Sequence, residues 1–281
     1  FIYIYFIIFV SRKEIIYTRD LAPAFLSFFG FKVFCELHLI PRKSKFFSKI
    51  VKRFTKCIVI SKGLENQLIK KGISRKNIMV SPSSIDIKKF DININKENAR
   101  KKIDIPQNRK IIMYTGSFKT MGKDKGIRDI LYSLKTLNNI LFVAVGGSEE
   151  DINFYKLIAK KINVIDNVIF RGRVDQLDLA IYQKAADILL MPFPYTRHYA
   201  NNMSPIKMFE YMVSKRPIIA SNLPTITEIL NKNNSILCKP NDSNDLANKI
   251  NFIFSNNKKI NNIVDQAFKD VRKYSLSNRI K

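Results

Sequence analysis

The sequence predicts an α/β protein with two Rossmann-like domains, of which the N-terminal one is incomplete. Short apolar runs alternate with longer helical patterns along the chain, and this alternation is typical of βαβ units with a mainly parallel sheet. The chain has 281 residues, which is more than a typical single domain contains and favours two domains.

Four apolar runs before residue 88 and six after residue 108 are expected to form strands. The early runs are residues 15–17, 32–37, 56–60 and 78–80. The later runs are residues 110–114, 140–145, 168–171, 188–191, 217–220 and 235–238. Helical patterns fill the later gaps, at about 126–137, 149–162, 176–186, 205–214, 224–231 and 243–256. Six strands with helices between them predict a complete doubly wound domain, whereas four indicate a domain that lacks its first units.

The polar stretch of residues 88–108 is expected to link the two domains. We therefore expect a partial N-terminal domain over residues 1–95 and a complete domain over residues 96–265. Residues 266–281 are expected to form a C-terminal helix that returns to the N-terminal domain.

The opening run of residues 1–10 is about half as long as a helix that spans a bilayer. It also lacks the basic region and the cleavage site of a signal peptide. Because residue 1 is Phe rather than Met, we expect that sequence precedes this run and that the run ends a buried helix.

The formal net charge is +26, from 49 Lys and Arg against 23 Asp and Glu. Such an excess predicts an anionic partner, which can be nucleic acid, a phosphate-bearing ligand or a membrane surface. A nucleic-acid-binding protein is the less favoured class, because the basic residues are spread along the chain and no recognition motif is present.

Cysteine usage argues against both a metal centre and a disulfide framework. Cys35, Cys57 and Cys238 lack CxxC spacing, and the chain has only two His. A zinc site and disulfides are therefore not expected, and a reducing cytoplasm fits best.

The first candidate phosphate site follows the predicted strand at 110–114. Gly116 and Ser117 form a turn there, and Lys125 comes just before the next helical pattern. Glycine lets a backbone approach a phosphate, and lysines neutralise its charge. The alternative is an ordinary turn with a solvated lysine cluster.

Two further glycine turns follow later strands at the same predicted sheet edge. They are Gly146-Gly147 and the segment Gly172-Arg173-Val174. Open α/β folds bind ligands at this edge, but an ordinary turn is the favoured interpretation of both.

The segment of residues 201–221 carries the most specific signal. Ser204 suits the N-cap of a helix and Pro205 suits its first turn. The unpaired amides and the dipole at such a helix start form an anion site.

Met203, Lys207 and Glu210 share one face of this helix, at offsets of four and three residues. The spacing suits a nucleoside diphosphate that lies along the helix, with its ribose hydroxyls on the Glu210 carboxylate. A solvated Lys207–Glu210 pair is the alternative. In both cases the charged face is expected to be free of the core, and burial of the Glu210 carboxylate in the interior would contradict the nucleotide site.

The run SPIKMFEYMVSKRPIIASNLPTITEIL, residues 204–230, resembles the signature of family 4 GT-B glycosyltransferases. The resemblance continues through YTGSF and FRGRV, and it reaches the first half of the chain through CELH. It implies an N-terminally truncated GT-B fold. It also implies transfer of a sugar, with retention of configuration, from a UDP- or GDP-sugar to a glycan or lipid-linked acceptor in cell-envelope polysaccharide or lipopolysaccharide synthesis.

The resemblance also implies roles for individual residues. Those implied at the donor diphosphate, the base and the ribose are Gly116, Ser117, Lys125, Arg173, Val174, Met203, Ser204, Pro205, Lys207 and Glu210. Those implied in catalysis are His38, Lys125 and Asn202. The alternative for His38 is a structural, hydrogen-bonded histidine.

Two positions depart from the family pattern. Asn202 stands where the family has the first glutamate of its E-x7-E pattern, and Ser117 stands where the family often has arginine. A donor-binding but inactive protein is therefore the alternative to an active transferase.

No Asp-x-Asp sequence occurs in the chain, and we expect no metal requirement. Positive groups and helix amides would then stabilise the leaving diphosphate.

Residues 41–56 contain apolar side chains at helical spacing among seven basic residues. These side chains are Phe46, Phe47, Ile50, Val51 and Phe54. The pattern predicts a basic amphipathic helix that lies on an anionic membrane, and so a peripheral location at its inner face. The alternative is a helix packed on the core with a solvated basic face.

Overall fold

The computed structural model describes residues 13–41 and 45–279, and it confirms the α/β prediction. Contacts between residues divide the chain into two compact units. The first contains the described residues up to Ser83 together with Ala200–Ser204, and the second contains Ser84–Tyr199 and the residues from Pro205 onward. The expected helix at residues 1–10 lies outside the described residues.

The first unit has one four-stranded parallel sheet with the strands in chain order. Its strands are β1 (Ile15–Thr18), β2 (Lys32–Leu37), β3 (Lys56–Val59) and β4 (Ile78–Val80). Its helices are two 3₁₀ helices (Ala22–Phe29 and Arg75–Asn77), α1 (Lys45–Val51) and α2 (Lys62–Lys70). All four strands were predicted from their apolar runs.

Two of the three cysteines face each other inside this sheet. Cys35 on β2 pairs in register with Cys57 on β3, and both are buried free thiols. Burial raises the pKa of Cys35 to about 12 and that of Cys57 to about 11. Cys238 is also free, so the chain has no disulfide, as its cysteine spacing predicts.

The second unit contains a six-stranded parallel sheet and a short hairpin. The sheet strands are β5 (Lys110–Thr115), β8 (Ile140–Val145), β9 (Val168–Arg171), β10 (Ile188–Met191), β11 (Ile218–Ser221) and β12 (Ile236–Cys238), and the hairpin strands are β6 (Lys119–Thr120) and β7 (Lys123–Asp124). The helices from Ser84 onward are α3 (Ile87–Phe90), α4 (Lys96–Lys102), α5 (Ile127–Ser133), α6 (Glu149–Lys161), α7 (Gln176–Ala185), α8 (Arg197–Asn201), α9 (Ile206–Val213), α10 (Pro224–Thr227), α11 (Ser243–Ser255), α12 (Asn257–Val271) and α13 (Leu276–Arg279).

The spatial order of the six strands is β12-β11-β10-β5-β8-β9. Read from the other edge, this is the 3-2-1-4-5-6 order of a doubly wound fold. The order reverses between β5 and β10, and ligands of such folds bind in the crevice outside the carboxyl ends of the strands at that point. Every residue of β8 and β10 is buried, as expected for strands of a parallel sheet that is covered on both faces.

The expected linker at residues 88–108 was wrong in its structure, because helices α3 and α4 occupy much of it and belong to the second unit. The division between the units falls at Ser83, earlier than the expected boundary at residue 95. Helix α4 is held by Arg100, whose guanidinium donates to Asp187 Oδ2 at 2.7 Å and to the carbonyl oxygens of Ala185 and Gln107, both at 3.0 Å. An ion pair, rather than an apolar stripe, anchors this helix, so its sequence resembles a polar linker.

The last long helix, α12, begins at Asn257 and ends at Val271, so the helix expected at 266–281 was misplaced. After it the chain pairs with Ile85 of the same unit. The amide of Ile85 donates to the Tyr274 carbonyl at 3.0 Å, and the amide of Leu276 donates to the Ile85 carbonyl at 3.1 Å. A return of this segment to the N-terminal domain stays a prediction.

The buried Arg100–Asp187 pair provides a test of the fold. Arg100→Leu would remove the buried partner of Asp187 and leave Lys96 as its cation, at 2.8 Å, so the loss of unfolding free energy should approach the lower end of the 3–5 kcal/mol that breaking a buried pair costs, about 3 kcal/mol. Urea denaturation should show this loss, whereas Lys101→Leu, at an exposed position of the same helix, should change the free energy by no more than about 0.5 kcal/mol. Equal losses in the two variants would contradict an anchoring role for Arg100.

Candidate functional site

Two loops meet at the point where the strand order reverses. One follows β5 and contains Gly116, and the other follows β10 and contains Pro192. A Cβ atom on Gly126, at the start of α5, would lie 2.0 Å from the carbonyl oxygen of Pro192. Gly126 also has a φ of +96°, a conformation that other residues rarely adopt. Glycine at this position therefore allows the two loops to approach closely.

The loop after β8 packs on the same turn through Gly146 and Gly147. A Cβ on Gly146 would lie 2.8 Å from the carbonyl carbon of Gly116, and one on Gly147 would lie 2.3 Å from the Phe118 ring. The sequence gives this glycine pair only a weak signal. In the structure the pair is a steric requirement for the packing of the Gly116 turn.

Helix α9 begins at Ile206 with Pro205 as its N-cap, and no side chain accepts from its first amides. The predicted N-cap, Ser204, was therefore wrong. The hydroxyl oxygen of Ser204 accepts from the Ser83 amide at 2.9 Å, and its carbonyl accepts from the Ser83 hydroxyl at 2.7 Å. Because these bonds occupy Ser204, the amides at the start of α9 have no side-chain cap, and their role as an anion site stays a prediction.

The ammonium group of Lys207 is enclosed and has no hydrogen-bond partner within the described residues. Its Nζ lies 3.5 Å from the centre of the Tyr114 ring on β5 and 5.7 Å from that of Phe193, which follows β10. A Cβ on Gly116 would lie 3.1 Å from the same Nζ. The positive charge therefore lies at the reversal point of the sheet.

Burial lowers the pKa of Lys207 well below that of an ordinary lysine, and the nearby Lys125 lowers it further. The expectation that the charged face of α9 is free of the core was wrong. Residues from β5 and from the loop after β10 cover that face, and helical spacing alone does not reveal them.

Lys125 and Ser117 occupy the same turn, as predicted. Lys125 Nζ donates to Ser117 Oγ at 2.8 Å, and the Tyr114 hydroxyl donates to the Ser117 carbonyl at 2.9 Å. Burial lowers the pKa of Lys125 as well. Two ammonium groups thus converge on the end of β5.

Glu210 is only 7% exposed, which contradicts the open position expected for its carboxylate. Its Oε2 accepts from Gln183 Nε2 at 3.0 Å, and the same Nε2 lies 3.2 Å from Thr115 Oγ1, at the end of β5. Burial raises the pKa of Glu210, whereas Gln183 and Lys207 act to lower it.

The burial of Glu210 is not complete. The carboxylate lies among polar groups at the end of β5, namely Thr115, Gln183 and Lys207. This burial is the outcome that was expected to contradict the nucleotide site, so it counts against a ribose contact of Glu210, which stays a prediction.

The remaining predicted donor residues are dispersed. Arg173 is exposed and Val174 is half-buried, and both follow β9, which lies two strands from β5 in the sheet. Asn202 and Met203 belong to the first unit. Gln67 Nε2 donates to Asn202 Oδ1 at 2.7 Å, so the amide oxygen that replaces the family carboxylate is engaged by helix α2. The roles of these four residues stay predictions.

His38 follows strand β2 of the first unit and has a clear partner. Its Nε2 lies 2.5 Å from Glu36 Oε1, which also accepts from Arg19 at 3.3 Å. These side chains line a cavity of about 320 Å³. The contact agrees with the structural alternative, and a catalytic role for His38 stays a prediction.

Sequence reasoning missed His198, which lies in the loop region after β10. Its Nδ1 is fully enclosed and has no hydrogen-bond partner among the described residues. One signal was available, because His198 is one of only two histidines in the chain and follows a predicted strand at the sheet edge.

No group of three or more His, Cys, Asp or Glu side chains among the described residues has an arrangement that could hold a metal ion. Within the same residues, no helix is both long and apolar enough to span a bilayer.

A doubly wound sheet with lysines and helix amides at its reversal point is the arrangement with which many α/β proteins bind phosphorylated ligands. A family model described as "Glycosyl transferases group 1" matches residues 95–270. The chain belongs to this family, and its GT-B fold confirms the fold prediction.

Two curated relatives match most of the chain. TuaC of Bacillus subtilis (strain 168), whose name places it provisionally in teichuronic acid biosynthesis, is 22% identical over 232 residues, which cover 81% of this chain and 54% of TuaC. An uncharacterized glycosyltransferase of Methanocaldococcus jannaschii is 25% identical over 232 residues, covering 79% of this chain and 56% of the relative. The chain thus spans about half the length of these two relatives.

Two solved structures show the same fold. A glycosyltransferase from Rickettsia africae ESF-5 has a TM-score of 0.80 at 20% identity, covering 95% of this chain and 74% of that one. Anabaena Alr3699/HepE in complex with UDP has a TM-score of 0.79 at 18% identity, covering 95% of this chain and 76% of that one.

The buried ammonium of Lys207 is expected to lower the stability of the ligand-free protein and to favour the binding of an anion. Lys207→Met should raise the unfolding free energy of the ligand-free protein by about 1–3 kcal/mol, because it removes an unsatisfied buried polar group. The folded-state pKa is depressed, so the unfolded chain binds more protons between that pKa and the ordinary value of 10.5. The unfolding free energy of the unsubstituted protein should therefore rise with pH in this window. The difference in unfolding free energy between Lys207→Met and the unsubstituted protein should shrink over the same window.

Urea denaturation at several pH values measures this effect. Lys156→Met, at an exposed position of α6, is the matched control and should change little at any pH. A loss of stability in Lys207→Met would show instead that the Tyr114 ring makes the ammonium a stabilising structural group.

Proposed function

We propose that the second unit binds the diphosphate of a nucleotide-sugar. The protein would transfer the sugar, with retention of configuration, from a UDP- or GDP-sugar to a glycan or lipid-linked acceptor in cell-envelope polysaccharide synthesis. The observation that carries this proposal is the enclosed ammonium of Lys207 at the reversal point of the sheet, which has no hydrogen-bond partner in the part of the chain that the structure describes. A buried cation without a partner is costly, and an anionic ligand offsets that cost.

The groups around Lys207 suit a diphosphate. Lys125 lies close enough to lower the pKa of Lys207, and burial lowers the pKa of Lys125. A bound diphosphate would reverse this effect and favour the charged form of both lysines. The uncapped amides at the start of α9 add hydrogen-bond donors.

These donors would act most strongly as the bond to the sugar breaks. Negative charge then builds up on the leaving diphosphate, and positive groups fixed in a site with little water stabilise that charge. We propose that Lys125, Ser117 and the helix amides meet this need without a metal ion. Transfer should therefore persist in EDTA, and a loss of activity that Mg²⁺ restores would contradict this part of the proposal.

Similar proteins support the class of donor and pathway. The Anabaena protein has been solved with UDP and with UDP-glucose, and the name of TuaC refers to the synthesis of a cell-wall polysaccharide. UDP is therefore the first probe, and GDP is the second.

Donor binding predicts a rise in thermal stability with UDP or GDP. A ligand at a hundred times its Kd stabilises the folded protein by about 2.7 kcal/mol. Lys125→Ala and Glu210→Ala should each abolish the shift, because they remove a diphosphate contact and the proposed ribose contact. Lys156→Ala removes one positive charge at an exposed position of α6, and the rise in thermal stability with UDP or GDP should persist in this variant. An undiminished shift in both site variants would place the nucleotide elsewhere.

An inactive donor-binding protein is the alternative. It would show the thermal shift but no hydrolysis or transfer of the sugar. Release of UDP from UDP-glucose, measured beside binding, separates the two.

The first unit presents an apolar surface with a basic rim. In α1, Phe47 and Val51 are buried, whereas Phe46 is 74% exposed. Burial of the first two confirms the core-packed alternative for one face of the helix. Phe46 lines a groove of about 350 Å³ together with Leu21, Ala22, Ala24, Phe25, Phe28, Lys49, Ile50 and Arg53.

We propose that this groove faces an anionic membrane and brings a lipid-linked acceptor to the protein, at the inner face of the membrane. Phe46 and Phe28 are largely exposed, and aromatic side chains of this kind insert at the bilayer interface. Lys49 and Arg53 are exposed beside them and would attract anionic headgroups.

Sedimentation with vesicles tests the surface. Binding to phosphatidylglycerol vesicles should exceed binding to phosphatidylcholine vesicles, and Phe46→Ser should weaken the former several-fold. Leu157→Ser, at a 68% exposed position of α6, is the matched control. Equal binding by the two variants would contradict a membrane role for the groove.

A further inference from the structure

A second enclosed polar atom without a hydrogen-bond partner among the described residues precedes Tyr199, whose ring centroid lies 5.1 Å from that of Phe193, a ring that also lies 5.7 Å from Lys207 Nζ. It is Nδ1 of His198 on helix α8, which follows β10. The neighbouring Tyr199 hydroxyl donates to the Lys123 carbonyl of β7 at 3.2 Å. This bond holds the His198 segment against the hairpin that precedes Lys125.

The charges around His198 are positive. Lys123 and Lys125 lie close enough that they lower its pKa, in addition to the effect of burial. The other ring against it is that of Tyr199, with centroids 5.6 Å apart. Burial is the larger cause of the lowered pKa of His198, and a bound anion would offset only the effect of the two cations.

The nearest acidic group on the hairpin does not serve as a partner. Asp124 accepts from the Gly126 amide and from the Tyr155 hydroxyl in two short hydrogen bonds. Its two oxygens are thereby directed to the start of α5 and to α6.

We propose that His198 is a ligand of the donor diphosphate, with Nδ1–H donating to a phosphate oxygen. This inference rests on the proposed function, because it requires that the donor occupies the crevice between the loops after β5 and β10. The negative charge of the diphosphate offsets Lys123 and Lys125, so the imidazole takes up a proton as the ligand binds. His198 and Lys125 would then contact the diphosphate from the two loops that meet at the reversal point.

Calorimetry of UDP binding tests the inference. Titrations at one pH near 7, in two buffers with different ionisation enthalpies, give both the Kd and the number of protons taken up. His198→Asn should raise the Kd for UDP about tenfold to a hundredfold, as expected for the loss of a charge-assisted hydrogen bond. It should also take up fewer protons than the unsubstituted protein.

Two further variants serve as controls. His198→Gln serves if His198→Asn alters the thermal unfolding of the ligand-free protein, and Lys156→Ala should match the unsubstituted protein in both readouts.

Unchanged Kd and proton uptake in the His198 variants, with UDP still bound, would overturn this inference alone. Weaker binding of UDP-glucose with unchanged binding of UDP would also overturn it, since His198 would then contact the sugar. Failure of the unsubstituted protein to bind UDP and GDP would overturn the proposed function instead.

Discussion

The second unit is organised around one costly feature, which is the burial of the Lys207 ammonium against the Tyr114 ring. Three backbone positions next to it lack side chains, and in each case a Cβ would meet a neighbouring loop or the ammonium itself: Gly116, Gly126 and Gly146. The loops enclose the charge only because these positions are glycine. A buried cation lowers stability unless a partner offsets it. The arrangement therefore lowers the stability of the ligand-free protein, and a bound anion would recover that loss.

Most of the fold follows from the sequence because the central strands are continuous apolar runs between turn signals. Strands β8 and β10 match their predicted bounds and are entirely buried. The prediction failed where tertiary contacts replace local patterns. Helix α4 depends on Arg100 and Asp187, which are far apart in the sequence and close in space, so the segment resembled a linker. The bounds of α12 were missed for the simpler reason that its start at Asn257 directly follows the end of α11 at Ser255.

The candidate site was also predicted only in part, because local spacing does not show its tertiary contacts. Helical spacing correctly indicates that Lys207 and Glu210 share a face of α9, and strand ends correctly place Lys125 near that face. Spacing does not reveal what covers the face. Gln183 and Thr115 come from α7 and β5, and with them Glu210 is buried rather than open. Single residues whose neighbours come from distant loops give no pattern in the sequence, and His198 is such a residue.

The central claim is that the Lys207 ammonium is the partner of a nucleotide diphosphate at the end of β5. A crystal structure of the protein with bound UDP tests it most directly. The account predicts a phosphate oxygen within about 2.7–2.9 Å of Lys207 Nζ, the distance of a charge-assisted hydrogen bond. A diphosphate bound elsewhere, with Lys207 still enclosed against Tyr114 and without a partner, would contradict it.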